Sequence, residues 1–173
     1  SLAILSKILD FKLICIVDPK IPEDTLLFYK AYGVQTELVE TTDDEGGYQK
    51  NRIARARELA EQSRDRINLD QYSNPAARNI HFETTGPEIY NQMDGKRDAL
   101  IANASTGSHL SGIAEYLKKT DPQIQTIAVE PEGSVIFGGN YHPYLQNGSG
   151  LSFKPDNYCS EYIDTEIKVS DTD

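Results

Sequence analysis

Apolar residues at Leu2, Ile4, Leu5, Ile8 and Leu9 recur at helical spacing and predict a helix at the start of the chain. Leu13-Ile14-Cys15-Ile16-Val17 is an unbroken apolar run, the pattern of a buried parallel strand, and Asp18-Pro19 ends it. Cys15 within that run reads as a small buried hydrophobe. Pro22-Glu23-Asp24 then opens a second helix, because proline suits a first turn and acids favour the positive end of the helix dipole. Leu26, Leu27, Tyr29 and Ala31 carry it to Gly33, which has the character of a helix C-cap. Residues 34–39 predict a strand, and 48–62, with Ile53, Ala56, Leu59 and Ala60 at helical spacing, a third helix.

The second part of the chain continues the alternation. A short strand is expected over 67–72, a loop at Asn74-Pro75, and a helix over 81–93 in which Gly86-Pro87 marks a bend or a fresh start. A strand over 99–102, a helix over 107–119 and a strand over 124–129 follow. Residues 130–155 are rich in Gly and Pro and read as irregular, and 162–169 as a final strand. Strands alternating with helices predict an α/β fold of parallel sheets flanked by helices. The change of character near 63–75 predicts two lobes, 1–70 and 71–173, with ligands beyond the carboxyl ends of the strands.

Composition narrows the partners. The chain has 173 residues, 38% hydrophobic and 25% charged, which is globular. Its net charge of -10 argues against nucleic acid and anionic membrane as main partners, since both select a positive face. Cys15 and Cys159 make no disulfide framework, so a reducing cytoplasm is the expected compartment. No apolar run approaches the length of a membrane span. The chain opens at once in a helical pattern and stops soon after a strand; both ends read as cut from something longer.

The densest candidate chemistry is 103-NASTGSHLSG-112, a loop of small hydroxyl residues between a strand and a helix. Gly107 permits close backbone approach, Ser105, Thr106 and Ser108 offer hydroxyl donors, and the helix start adds free N–H groups and a positive dipole end. The loop therefore reads either as a plain capped helix start or as a phosphate cradle, and on local pattern the cap comes first. Neither a dinucleotide fingerprint nor a Walker motif is present. His109, His81 and His142 stand isolated in sequence, with no metal-ligand spacing. Asp43-Asp44-Glu45 reads as an exposed acidic turn rather than a cation site.

Three ordered blocks then carry a resemblance over essentially the whole chain. They are 71-QYSNP-75 with 81-HFETTGPEI-89, 98-DALIA-102 with 105-STGSHLSG-112, and 129-VEPEGS-134 with Gly148-Ser149-Gly150. In these blocks the chain resembles the fold-type II pyridoxal-phosphate enzymes, in the cysteine synthase and cystathionine β-synthase group. The resemblance implies a two-lobed, tryptophan synthase β-like architecture, incomplete here at both ends, a pyridoxal 5'-phosphate cofactor, and a homodimer acting on small amino-acid substrates. The family's phosphate loop, commonly GTGGT, maps onto Ser105, Thr106, Gly107, Ser108 and His109, with two glycines replaced by serine and the last threonine by histidine. Gln71 is implied to contact the substrate carboxylate and Gly148 to border the substrate cleft. The implied reaction is β-replacement on an activated serine, with O-acetylserine or O-phosphoserine as donor. The stretches 46-GGYQKNRIARAREL-59 and 133-GSVIFG-138 also resemble the branch that joins phosphoserine to glutamate on the way to a siderophore diaminopropionate. The family's Schiff-base lysine, its carboxylate loop and the serine at the pyridine nitrogen map outside 1–173, so no catalytic residue is assigned and this stretch alone is expected to be inactive. A non-catalytic binding module retaining part of the fold is the competing reading.

Overall fold

The structure, a computed structural model, describes every residue except Glu45, Gly95, Arg97 and Asp173. Glu45 of the expected acidic turn and Asp173, the end of the expected larger lobe, thus lie outside the described residues. The chain divides into two compact units, Ser1–Asn68 and Leu69–Asp173.

In the first unit, parallel strands β1 (Ile14–Val17) and β2 (Gln35–Leu38) pair from Ile14 opposite Gln35 to Val17 opposite Leu38. Helices α1 (Leu2–Ile8), α2 (Glu23–Ala31) and α3 (Gln49–Glu61) accompany them. The buried residues are few: Ala3, Ser6, Val17, Val34 and Leu59. Cys15, expected to be fully buried, is half-buried, because the two-stranded sheet does not enclose it. Burial still raises its thiol pKa, and a hydrogen bond with Tyr29 opposes that rise.

The second unit carries the larger core. Strands β3 (Ala99–Asn103), β4 (Gln125–Pro131) and β5 (Thr165–Val169) form a parallel sheet in that order. Helix α6 (Ser108–Thr120) runs between β3 and β4 and buries Leu110, Ile113, Ala114 and Leu117 along one face. Ala104, Leu110, Ala128, Ile136, Leu151 and Tyr158 form one buried cluster, and Ile113, Leu117 and Ile124 a second. β3 alternates between covered and open positions, with Ile101 66% exposed, so the expected two-sided burial is not met at that strand.

Two expectations fail in the segment before β3. No strand forms over 67–72: Ile67 and Leu69 are exposed, and Asp70 takes a left-handed conformation at φ 37°. Its carboxylate accepts from the Tyr72 N–H and the Ser73 hydroxyl, and its carbonyl from the Ser73 and Asn74 N–H groups, which closes a turn instead. Asn74-Pro75 starts a helix rather than a loop. The Asn74 side chain accepts from the Ala76 N–H at 3.0 Å, and Pro75 occupies the first turn of α4 (Pro75–Ile80). The chain then passes through a π-helical turn, His81–Thr85, into α5 (Gly86–Gln92), which makes its fresh start at the Gly86-Pro87 marked within the expected 81–93 helix. Helical periodicity alone does not reveal the extra residue of a π-turn.

Polar ties fix the long segment after β4. Glu130, 1% exposed at the end of that strand, accepts from the Ser134 hydroxyl and from the N–H groups of Ile136 and Phe137. Lys168 of β5 pairs with it at 3.1 Å and donates to the carbonyls of Ser134 and Gly138. The 129-VEPEGS-134 block is therefore a buried clamp on its own turn, with the charge compensated by lysine and amide donors.

Candidate functional site

The 105–109 loop leaves the carboxyl end of β3 and enters α6. Its first anchor is Ala104, whose N–H donates to the Val129 carbonyl and whose carbonyl accepts from the Gly150 N–H. Gly107 stands at the helix cap with φ 83°, in the left-handed region that favours glycine. A β-carbon there would lie 2.6 Å from the Tyr158 backbone nitrogen, so the position has room only for glycine. The Gly107 carbonyl accepts the first helical bond, from the Ser111 N–H at 2.9 Å. The N–H groups of Ser108, His109 and Leu110 thus precede any intrahelical partner, at the positive end of a 13-residue helix.

Ser108 is 5% exposed, and its hydroxyl oxygen is buried without a hydrogen-bond partner. Such a group costs about 1–3 kcal/mol unless something pairs with it. Ser105 and Thr106 are half-buried beside it. His109 is half-buried too. Its ring hydrogen-bonds to the Asn103 backbone and lies edge-on to His81 of the π-helical turn, with centroids 6.3 Å apart. Burial first, and the His81 ring second, push the His109 imidazole below its ordinary value. The two histidines that stand apart in sequence are therefore neighbours in the fold. His142 contacts the Pro143 carbonyl on an exposed loop.

The other two candidates reach this loop through intermediaries. The Asn157 side chain donates to the carbonyls of Gln71 and Asn74, and its N–H to that of Tyr72. The same segment covers Gly107 and donates from the Cys159 N–H to the Ser111 hydroxyl. Gln71 itself is exposed. Gly148 begins the turn whose Ser149 and Gly150 both bond to the Ala104 carbonyl. Ala104, Ser111, Asn157 and Tyr158 are the residues that sequence reasoning missed. Ala104 and Ser111 lie inside the quoted 103–112 stretch, whereas Asn157 and Tyr158, just after Pro155, carried no signal in the pattern. A cavity of about 490 Å³ lies elsewhere, lined by residues 135–138 with Lys154, Ser160 and Glu166. Among the described residues no cluster of three or more metal-ligating side chains occurs, and no helix is long and apolar enough to cross a membrane.

Known proteins are similar to this chain in sequence and in fold. The chain is 34% identical over 173 residues to N-(2-amino-2-carboxyethyl)-L-glutamate synthase of Ralstonia nicotianae, and 33% identical over 171 residues to the protein of that name in Cupriavidus metallidurans. It covers 51% and 50% of their lengths, so it spans about half of the curated relatives it matches. A hydrogen sulfide-producing enzyme from Fusobacterium nucleatum superposes with a TM-score of 0.86 at 27% identity, over 99% of this chain and 57% of that one. An O-acetylserine dependent cystathionine beta-synthase from Helicobacter pylori superposes at 0.85 with 30% identity, over 99% of this chain and 55% of that one. The profile of the pyridoxal-phosphate dependent enzymes matches residues 1–173, and on that match, with the fold and loop just described, the chain belongs to that family.

Proposed function

We propose that the 105–109 loop holds the phosphate of pyridoxal 5'-phosphate and that the whole protein carries out β-replacement on an activated serine. The observation that carries this reading is the Ser108 hydroxyl, buried without a partner at a helix start whose glycine cap admits no side chain. A phosphate oxygen is the kind of acceptor that the hydroxyl and the free N–H groups of the first turn call for. Thr106 and Ser105 add hydroxyls on the same loop, and Gly107 keeps the backbone open to close approach. Gln71 and Gly148 are assigned to the substrate, the first toward its carboxylate and the second at the cleft border. When bound, the cofactor supplies an electron sink for charge developing at the α-carbon of the amino acid. No lysine of the chain is given the covalent role.

The donor is read as O-acetylserine or O-phosphoserine. Sulfide as acceptor gives a cysteine synthase, a reading supported by likeness to one enzyme that depends on O-acetylserine and another that produces hydrogen sulfide. Glutamate as acceptor is the second reading, and the names of the two curated relatives favour it. Incubating the whole protein with each donor and each acceptor, and weighing the products by mass spectrometry, separates the two.

The loop assignment has its own test in Ser108→Ala. The change removes an unpaired buried hydroxyl, so the ligand-free protein is expected to gain about 1 kcal/mol in denaturant unfolding. Affinity for pyridoxal phosphate, measured by calorimetry, should fall about tenfold as a charge-assisted hydrogen bond is lost. An affinity unchanged by the substitution overturns the assignment.

A further inference from the structure

We propose that the facing imidazoles of His81 and His109 take up one proton when a dianionic phosphate group docks on the 105–108 loop, so that the loop grips it more tightly as pH falls. This rests on the loop assignment above and adds a regulation to the same site.

Geometry brings the pair together and holds it. His109 is the second residue of α6, inside the turn whose N–H groups precede any helical partner. Gly112, one turn on, lets the π-helical turn come close: a β-carbon there would lie 2.8 Å from the His81 Cβ. His81 is further tied by its Nδ1 to the Thr85 hydroxyl at 3.0 Å. The rings meet edge to face, with planes inclined at 75°.

The surroundings leave this pair as the local titrating unit. Among the described residues, His81 is the one charged or titratable group acting on His109 from the elements packed against α6. Arg78 of α4 instead faces Cys159 and Glu115. Tyr162 of the 3-10 turn Ser160–Tyr162 couples to Glu115 and Lys119, farther along α6, and to its neighbour Glu161. Glu83 of the π-helical turn and Glu88 of α5 are exposed. Without an anion, a charged His109 is disfavoured by burial and by its neighbour. A dianion at the helix start reverses that balance, and two rings this close hold one proton more readily than two.

The linkage has a definite sign. Binding raises the pair's proton affinity, so the complex holds more protons than the free protein between the free and bound pKa values. Affinity therefore rises as pH falls through that window and is flat above and below it.

Inorganic sulfate is the probe, because it keeps both charges across the range where histidine titrates, whereas a phosphate monoester itself titrates at about pH 6. Calorimetry in buffers of low and high ionisation enthalpy should show proton uptake approaching one per sulfate, with affinity rising by up to about tenfold per pH unit. His109→Leu should abolish the uptake and flatten the profile. Imidazole C2-proton NMR of the unsubstituted protein supplies a check that does not depend on the variant folding. Sulfate should raise the titration midpoint of His81 or His109 and leave exposed His142 unmoved. Sulfate binding without proton uptake, and with all three midpoints unchanged, overturns this inference and leaves the loop assignment standing. No sulfate binding at any pH overturns both.

Discussion

Helices α3 and α6 are both 13 residues long, and they are held in opposite ways. α6 buries seven residues, five of them consecutive from Leu110 to Ala114 and so around its whole circumference, while α3 buries only Leu59. α3 is tied at its surface instead: Arg55 pairs with Glu37 of β2 and with Glu58, and Arg52 with Asp18 at 3.2 Å. Surface pairs of that kind hold a helix loosely, whereas close packing fixes position to fractions of an ångström. The helix that carries the candidate phosphate loop is the packed one. An anion site built from N–H groups keeps its geometry only if the helix behind it cannot shift.

The contrast can be broken from its strong side first. Leu110→Ala leaves a cavity in the cluster behind the loop and is expected to cost about 2–5 kcal/mol in denaturant unfolding. A cost below about 1 kcal/mol would mean that packing does not fix α6. Gly112→Ala pushes a methyl group into the backbone of Arg78 and the side chain of His81, and about 1–3 kcal/mol should be lost. The same variant should separate the two imidazoles and shift both histidine NMR signals.

A smaller effect lies at the far end of α6. The Lys118 ammonium first, then the Thr126 N–H and hydroxyl, hold the Asp164 carboxyl below the usual range. A depressed folded-state pKa adds stability that is present above the unfolded value and disappears as pH falls through the folded one. The urea midpoint should therefore drop below about pH 4, and Asp164→Asn should lessen that drop. The least effect is expected in α3: Arg55→Gln should leave the melting temperature essentially unchanged, and a clear drop would mean that its ion pairs matter more than their exposure allows.

Much of this was legible in the chain. The run 13–17 gave β1, and the strand–loop–helix pattern at 99–120 gave β3, the connecting loop and α6 within a residue or two. Periodicity reads such elements because burial on one face imposes it. It could not read the Asp70 turn, where side-chain hydrogen bonds outbid an apolar pattern that had no strand to pair with. Nor could it place His81 beside His109, since that contact depends on a glycine 31 residues from His81 in chain order admitting a neighbouring backbone. The orphaned hydroxyl of Ser108 was equally silent, because an unpaired group is a property of the packed interior and not of residue type.

The π-helical turn at His81–Thr85 is, in effect, a one-residue insertion carried inside a continuous helical run from Pro75 to Gln92. Deleting a residue there would shorten the segment by little, but it would rotate everything after it by about 100°. Ile89 and Tyr90, which now pack against the Ile113–Leu117 cluster, would swing off it. Length is therefore less constrained in this segment than phase, and changes in it should survive only where they restore the same angular setting.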